Sequence, residues 1–317
     1  MPHLPSISGQ MALGPALRLF PVAGNALLHL RSALLFAGAP LSEGECELIA
    51  TYVSALNGCD YCVGSHRGAA EAQGITPLLL DDIVADPAAA RDAEEAALFA
   101  LLGTLTHTPS SVRPADVEAV RATGRSDDEI AHAVQVCAFF NGMNRIAEGL
   151  GLEREPRSAA HAAQQSANRG AVPADATAAL LRYHDGLMLG PSPLSIGERA
   201  TIAAYVSVLN GCEAGVAAHR AAALRDDLTA ERLDAVIADP DAAPEAMQPL
   251  LRYVRVLSQP GGAVAQADVD AVFAAGWSEE ALFHAISVCA LTHQLDRLTA
   301  CPGIAPDPRV AALYAEH

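Results

Sequence analysis

Cys59 and Cys62 stand three positions apart directly after an Asn57-Gly58 pair, with His66 four residues beyond Cys62 and Glu47 twelve residues before Cys59. If a helix begins at Cys59, the two sulfurs share one face at roughly 5 to 6 Å, a separation that lets a disulfide close and reopen without moving the fold. The free amides and macrodipole of a helix start favour negative charge, so a thiolate is expected there at lower pH than for an ordinary cysteine. His66 projects from the same face one turn later. Glu47 and His66 flank Asn57-Gly58 at nearly equal distances, and they meet if the two helices joined by that turn pack antiparallel. In such a relay the carboxylate orients the imidazole and raises its basicity, and the imidazole takes the thiol proton and returns it to a leaving group.

Other readings of these residues stay open. Glu47 near a helix start also fits a surface carboxylate that complements the dipole. The C-x-x-C is also half of a zinc site that His66 and Cys46 would complete, although structural zinc sites usually draw on two separated clusters. A haem attachment site needs His directly after the second Cys, where Val63 stands, and a thioredoxin-like site needs strand-helix alternation, which is missing. Tyr61 reads as a packing residue. Cys137 and Cys289, in AHAVQVCA and FHAISVCA, read as buried structural thiols. The set of seven cysteines, with Cys46, Cys212 and Cys301, is too uneven for a disulfide-stapled secreted scaffold.

The motif occurs twice. LSEGECELIATYVSALNGCDYCVGSHR, from Leu41, returns as LSIGERATIAAYVSVLNGCEAGVAAHR, from Leu194, with more than half of the positions identical. Cys59 and His66 persist as Cys212 and His219, whereas Glu47, Tyr61 and Cys62 become Ala200, Ala214 and Gly215. The likeness extends through ALLHLRSALLFAGAPLS and ALLRYHDGLMLGPSPLS to ADVEAVRATGRSDDEIAHAVQVCA and ADVDAVFAAGWSEEALFHAISVCA. Two whole domains are therefore expected. They run over 25–153 and 176–317, preceded by an irregular, Pro- and Gly-rich arm over 1–24 that could wrap a neighbouring subunit, and joined by a polar linker over 154–175.

Ala- and Leu-rich composition with 4% aromatics favours helices over strands. Ser42 with Glu45, and Ser195 with Glu198, have the spacing of a capping box at a helix start. Leu48, Ile49, Tyr52, Val53 and Leu56 then follow helical spacing as one apolar face. A second helix is expected from about Cys59 to Gln73, stopped by Gly74, and others over Pro77 to Ala85, Asp92 to Leu105, Pro114 to Thr123 and Asp127 to Leu150. The fold class is thus all-α, two small helical bundles in tandem. A net charge of -17 repels phosphate backbones and anionic lipid, so neither nucleic acid nor a membrane is expected as a partner. With no basic, apolar leader, the chain reads as cytoplasmic.

Glu47 followed by ELIATYVSALNGCDYCVGSH closely resembles the active-site hairpin of the alkyl hydroperoxidase D-like, carboxymuconolactone decarboxylase superfamily, and FFNGMNRIAEGLG resembles that family's later helix. The resemblance covers both copies. It implies a thiol-dependent peroxidase in which Cys62 is the peroxidatic and Cys59 the resolving cysteine, with Glu47 and His66 as proton relay. Cys62 would attack a hydroperoxide to give a sulfenic acid, Cys59 would condense with it, and a thiol or dihydrolipoyl-type reductant would reopen the disulfide. Some relatives carry a His where Tyr61 stands. No cofactor is implied, since sulfur carries both electrons. The second copy, without the nucleophile and the carboxylate, is expected to serve as a scaffold that supplies the contacts of a homodimer, forming a pseudo-dimer in one chain, with a pocket wall as a further role open to it. Relatives form trimers or hexamers, so a homo-oligomer is expected, a trimer before a dimer. The alternatives are a lactone decarboxylase or isomerase on the same fold, and a non-catalytic redox sensor or metal-binding scaffold.

Overall fold

A computed structural model describes residues 2–7, 12–36, 40–153, 175–224 and 229–314, and among them every regular element is a helix. The expected linker, apart from Asp175, lies outside the described residues. The helices are α1 Leu13–Arg18, α2 Pro21–Phe36, α3 Glu43–Leu56, α4 Asp60–Ala72, α5 Pro77–Ala85, α6 Ala93–His107, α7 Pro114–Arg121 and α8 Asp127–Gly149. The second copy repeats α2 to α8 as α9 Ala176–Met188, α10 Ile196–Asn210, α11 Glu213–Ala223, α12 Ala230–Ala238, α13 Met247–Ser258, α14 Gln266–Ala274 and α15 Glu279–Thr299, and a short α16, Pro308–Ala311, follows.

Local chemistry places the boundaries where the sequence puts them. Ser42 and Glu45 form the capping box of α3, and Ser195 and Glu198 that of α10. Between α3 and α4 only Gly58 turns left-handed, at φ +70°. Asn57 stays right-handed, and its buried side chain is used elsewhere. Leu48, Ile49, Tyr52 and Val53 are buried and Leu56 half-buried, so the apolar face of α3 is the one its spacing indicates.

The two copies share one continuous hydrophobic core. Helix α8 packs along α15, and α2 along α9. Gly142 makes the first approach possible: a Cβ there would lie 2.7 Å from the Ala290 carbonyl oxygen. Across the same seam the Tyr253 hydroxyl donates to the Gly149 carbonyl at 2.6 Å, and Phe20 stacks on Phe283 with ring centroids 3.8 Å apart. The stretch expected as an irregular arm contains α1 and the start of α2. It folds back on its own chain, where the His3 amide donates to the Leu150 carbonyl at 3.1 Å.

Candidate functional site

Helices α3 and α4 pack antiparallel about the Asn57-Gly58 turn, which brings Glu47 and His66 together. Glu47 is 0% exposed and its Oε2 lies 2.5 Å from His66 Nδ1. The reading of Glu47 as a surface carboxylate is thereby overturned. The imidazole also meets Phe140 in a T-shaped contact, with ring centroids 4.5 Å apart. A buried carboxylate on Nδ1 fixes the ring's orientation and leaves Nε2 as the nitrogen for other chemistry.

Asn57 anchors the turn beneath the cysteines. Its amide donates to Asn141 Oδ1 at 3.1 Å and Asn144 Oδ1 at 2.9 Å, and Asn144 in turn donates to Ser54 Oγ at 3.0 Å. Both partners lie on α8, within the FFNGMNRIAEGLG segment. From the second copy, the Gly261 amide donates to the Asn57 carbonyl at 2.8 Å.

Cys59 caps α4 and is 0% exposed, while Cys62 is 3% exposed in the first turn. A helix start by itself favours a thiolate here. For Cys59 the opposite holds: burial pushes the thiol well above its ordinary range, with the Cys62 side chain and the Glu148 carboxylate adding to it. Desolvation of a fully enclosed sulfur outweighs a dipole that acts mainly through exposed amides. Glu148, on the last turn of α8, is a residue the sequence reading passes over. Burial raises its carboxyl, and the Cys59 thiol, hydrogen-bonded to it, partly opposes the shift. Its counterpart in the second copy is Ala300, and that loss beside those of Glu47 and Cys62 is the signal that could have found it.

Above Cys62 and His66 opens a cavity of about 340 Å³. Its walls are α1 and α2 on one side, with Leu13, Leu27 and Leu28, and Phe140 and Met143 on the other. Among the described residues that line it, Arg18 and Arg31 are the cationic ones and none is an Asp or Glu. Tyr61 fixes the arm that forms this roof, its hydroxyl accepting the Leu13 N–H at 2.7 Å. Among the described residues none of the second copy lines the cavity; that copy meets the turn through Gly261. Cys46 does not join the site, and among the described residues no group of three or more His, Cys, Asp and Glu side chains could hold a metal ion.

In the second copy the same positions are rebuilt for packing. Gly215 stands where Cys62 does, and a Cβ on it would lie 2.5 Å from Asp296 Oδ1. That carboxylate, in the place of Asn144, accepts from Ser207 at 3.1 Å, Asn210 at 2.7 Å and Tyr314 at 2.8 Å. Burial and Asp296 push the Cys212 thiol up to about 12. His219 has no carboxylate behind it, since Ala200 replaces Glu47, and burial pulls it down to about 4. Its neutral form is therefore favoured when folded, while the unfolded chain takes up the proton near 6.5. The stability from this histidine is complete above pH 6.5 and is lost as the pH falls towards 4, by up to about 3 kcal/mol. Urea unfolding at pH 7 and pH 4.5 should show a smaller acid loss for His219→Gln than for the natural protein.

The decisive comparison follows this geometry: residues 21–103 and 174–259, together more than half of the sequence, match the carboxymuconolactone decarboxylase family. The chain belongs to the carboxymuconolactone decarboxylase family. The two matched segments fall on the two copies, as a tandem member of that family requires. Among solved structures it is similar to an uncharacterized peroxidase-related protein from Ralstonia eutropha JMP134, described as an alkylhydroperoxidase AhpD core, at 27% identity and a TM-score of 0.42, over 44% of this chain and 74% of that one. An uncharacterized peroxidase-related protein from Silicibacter sp. TM1040 is similar at 27% identity and a TM-score of 0.40, over 43% of this chain and 73% of that one. No curated protein matches the chain. Among the described residues no helix is long and apolar enough to cross a membrane.

Proposed function

We propose that the first copy reduces hydroperoxides through a dithiol-disulfide cycle of Cys59 and Cys62. The observation that carries this reading is the placement of Cys62 and His66 on one cavity, with Glu47 buried behind the imidazole. His66 takes the proton of Cys62, and the resulting thiolate attacks the distal oxygen of ROOH. The O–O bond breaks, Cys62 becomes a sulfenic acid, and the alkoxide leaves as ROH with a proton returned through the imidazole. The Cys59 sulfur then displaces hydroxide from the sulfenic sulfur, giving the disulfide and water. Glu148, hydrogen-bonded to Cys59, accepts the thiol proton that burial otherwise retains. A dithiol reductant reopens the disulfide by two exchange steps.

A lactone decarboxylation is less well supported, because it needs acids and bases where this cavity presents a thiol with a second thiol enclosed beneath it. The test is repeated consumption of cumene hydroperoxide with a dihydrolipoyl-type reductant, with the Cys59–Cys62 link located by mass analysis after oxidation. Oxidation once per chain without turnover would instead identify a sensor.

The cavity walls also rank substrates. Apolar sides with the exposed Arg18 guanidinium among them favour an organic hydroperoxide bearing an acidic group over a neutral one. Arg18→Ala should raise KM for a carboxylated hydroperoxide by about two- to fivefold, the range for one exposed charge contact, and leave cumene hydroperoxide unchanged. Steady-state kinetics with the two substrates measures the difference.

A further inference from the structure

The repeat places two arginines at equivalent positions, Arg145 on α8 and Arg297 on α15, and each reaches across the seam into the other copy. Arg297 donates to the Thr106 carbonyl at 2.8 Å, and Arg145 to the Ser258 carbonyl at 3.4 Å. These carbonyls lie at the ends of α6 and α13, whose dipoles favour a cation there. Within its own copy Arg145 donates to the Asn141 carbonyl, and Arg297 to the His293 carbonyl and Nδ1 and to Asn210 Oδ1. The side chains are 3% and 2% exposed in order of number, and neither Nε has a hydrogen-bond partner. Among the described residues no carboxylate lies within ion-pair distance of either guanidinium.

Helix ends carry only partial charge, so two enclosed cations are left without a counter-ion. The nearest acids are committed elsewhere, Asp296 to Ser207, Asn210 and Tyr314, and Glu148 to Cys59. Burial and the repulsion from Arg145 pull Arg297 down to about 9, which leaves it protonated at neutral pH. Both arginines line a cavity of about 350 Å³ at the seam, together with Arg255, Ser110, Asn210 and His107. Among the described residues that line it none is an Asp or Glu, in a chain whose net charge is -17. This cavity shares no residue with the one above Cys62.

We infer that the seam cavity is a binding site for a phosphate-type oxyanion, with the Arg145 and Arg297 side chains in its wall and Arg255 at its rim. Guanidinium forks match the geometry of phosphate oxygens, and Ser110 adds a hydroxyl donor. The occupant is inorganic phosphate or the phosphoryl group of a small metabolite, for which the cavity has room. Bound there, it bridges the copies and supplies the negative charge that the seam lacks.

The test is calorimetric titration of inorganic phosphate into the full-length protein in chloride buffer, with thermal unfolding measured in parallel. Saturable binding at one site per chain is expected, accompanied by a rising midpoint of unfolding. Affinity should fall at least tenfold in Arg297→Gln, which keeps a donor for the Thr106 carbonyl, and at least threefold in Arg255→Ala, an exposed position with little bearing on folding. Cys62→Ser should bind phosphate as the natural protein does, which separates this site from the proposed reaction. Glycerol phosphate binding more tightly than phosphate would identify a phosphorylated metabolite as the occupant, and equal affinities the free ion. Absence of saturable binding to the natural protein, or affinity unchanged in both arginine variants, would overturn the inference.

Discussion

Cys62→Ser is expected to abolish hydroperoxide turnover, by at least about 10³-fold, because a serine hydroxyl neither ionises near neutral pH nor cleaves an O–O bond as a thiolate does. Cys212→Ser should leave turnover within about twofold. The contrast comes from the geometry of the two copies. Cys62 lines an open cavity beside His66, whereas Cys212 is backed by Asp296 and held as a neutral thiol. Stopped-flow oxidation followed by steady-state assay with a dithiol measures both variants. Equal damage from the two substitutions would show that the second copy takes part in the reaction and that the division into active and degenerate halves is wrong.

Glu47→Gln should lower the rate of sulfenic acid formation by about 10²-fold, the usual scale for losing a positioned acid-base partner. Glutamine keeps the volume of the buried side chain but cannot stabilise an imidazolium, so His66 becomes a weaker base. The folded protein should remain, which circular dichroism of the variant checks alongside the rate. Glu148→Gln makes the opposite split. First-step oxidation should be unchanged, while disulfide closure slows enough for dimedone to trap the Cys62 sulfenic acid in quantity. A fall in the first step alone, with closure intact, would assign Glu148 to packing.

The degenerate copy has a structural part that these experiments leave untouched. Its Gly261 amide bonds the Asn57 carbonyl, and its core is continuous with that of the first copy. A single fused chain thus holds what separate subunits would otherwise need an interface to hold, and the turn bearing Cys59 is braced from across the seam. Restoring cysteine at Gly215 would not restore a second site, because Asp296 occupies the space.

Much of this was legible in the residues alone. Capping boxes at Ser42 and Ser195, the glycine at 58 and the apolar face of α3 are local effects, so sequence placed the helices within a few positions and made the chain all-α. The repeat fixed the duplication, and the numbers of residues on either side of Asn57-Gly58 paired Glu47 with His66, since an antiparallel hairpin is symmetric about its turn. What depended on distant parts of the chain was decided only in the fold. The helix start suggested a readily formed thiolate within the C-x-x-C, but for Cys59 enclosure beside Glu148 shifts the thiol the other way, and burial is a property of the tertiary neighbours. The Pro- and Gly-rich arm gave no sign that it roofs the cavity, because the Leu13 to Tyr61 bond joins residues far apart in sequence. Likewise, nothing near Arg145 or Arg297 in the chain shows that each is buried against the other copy, for that follows from the packing of α8 along α15.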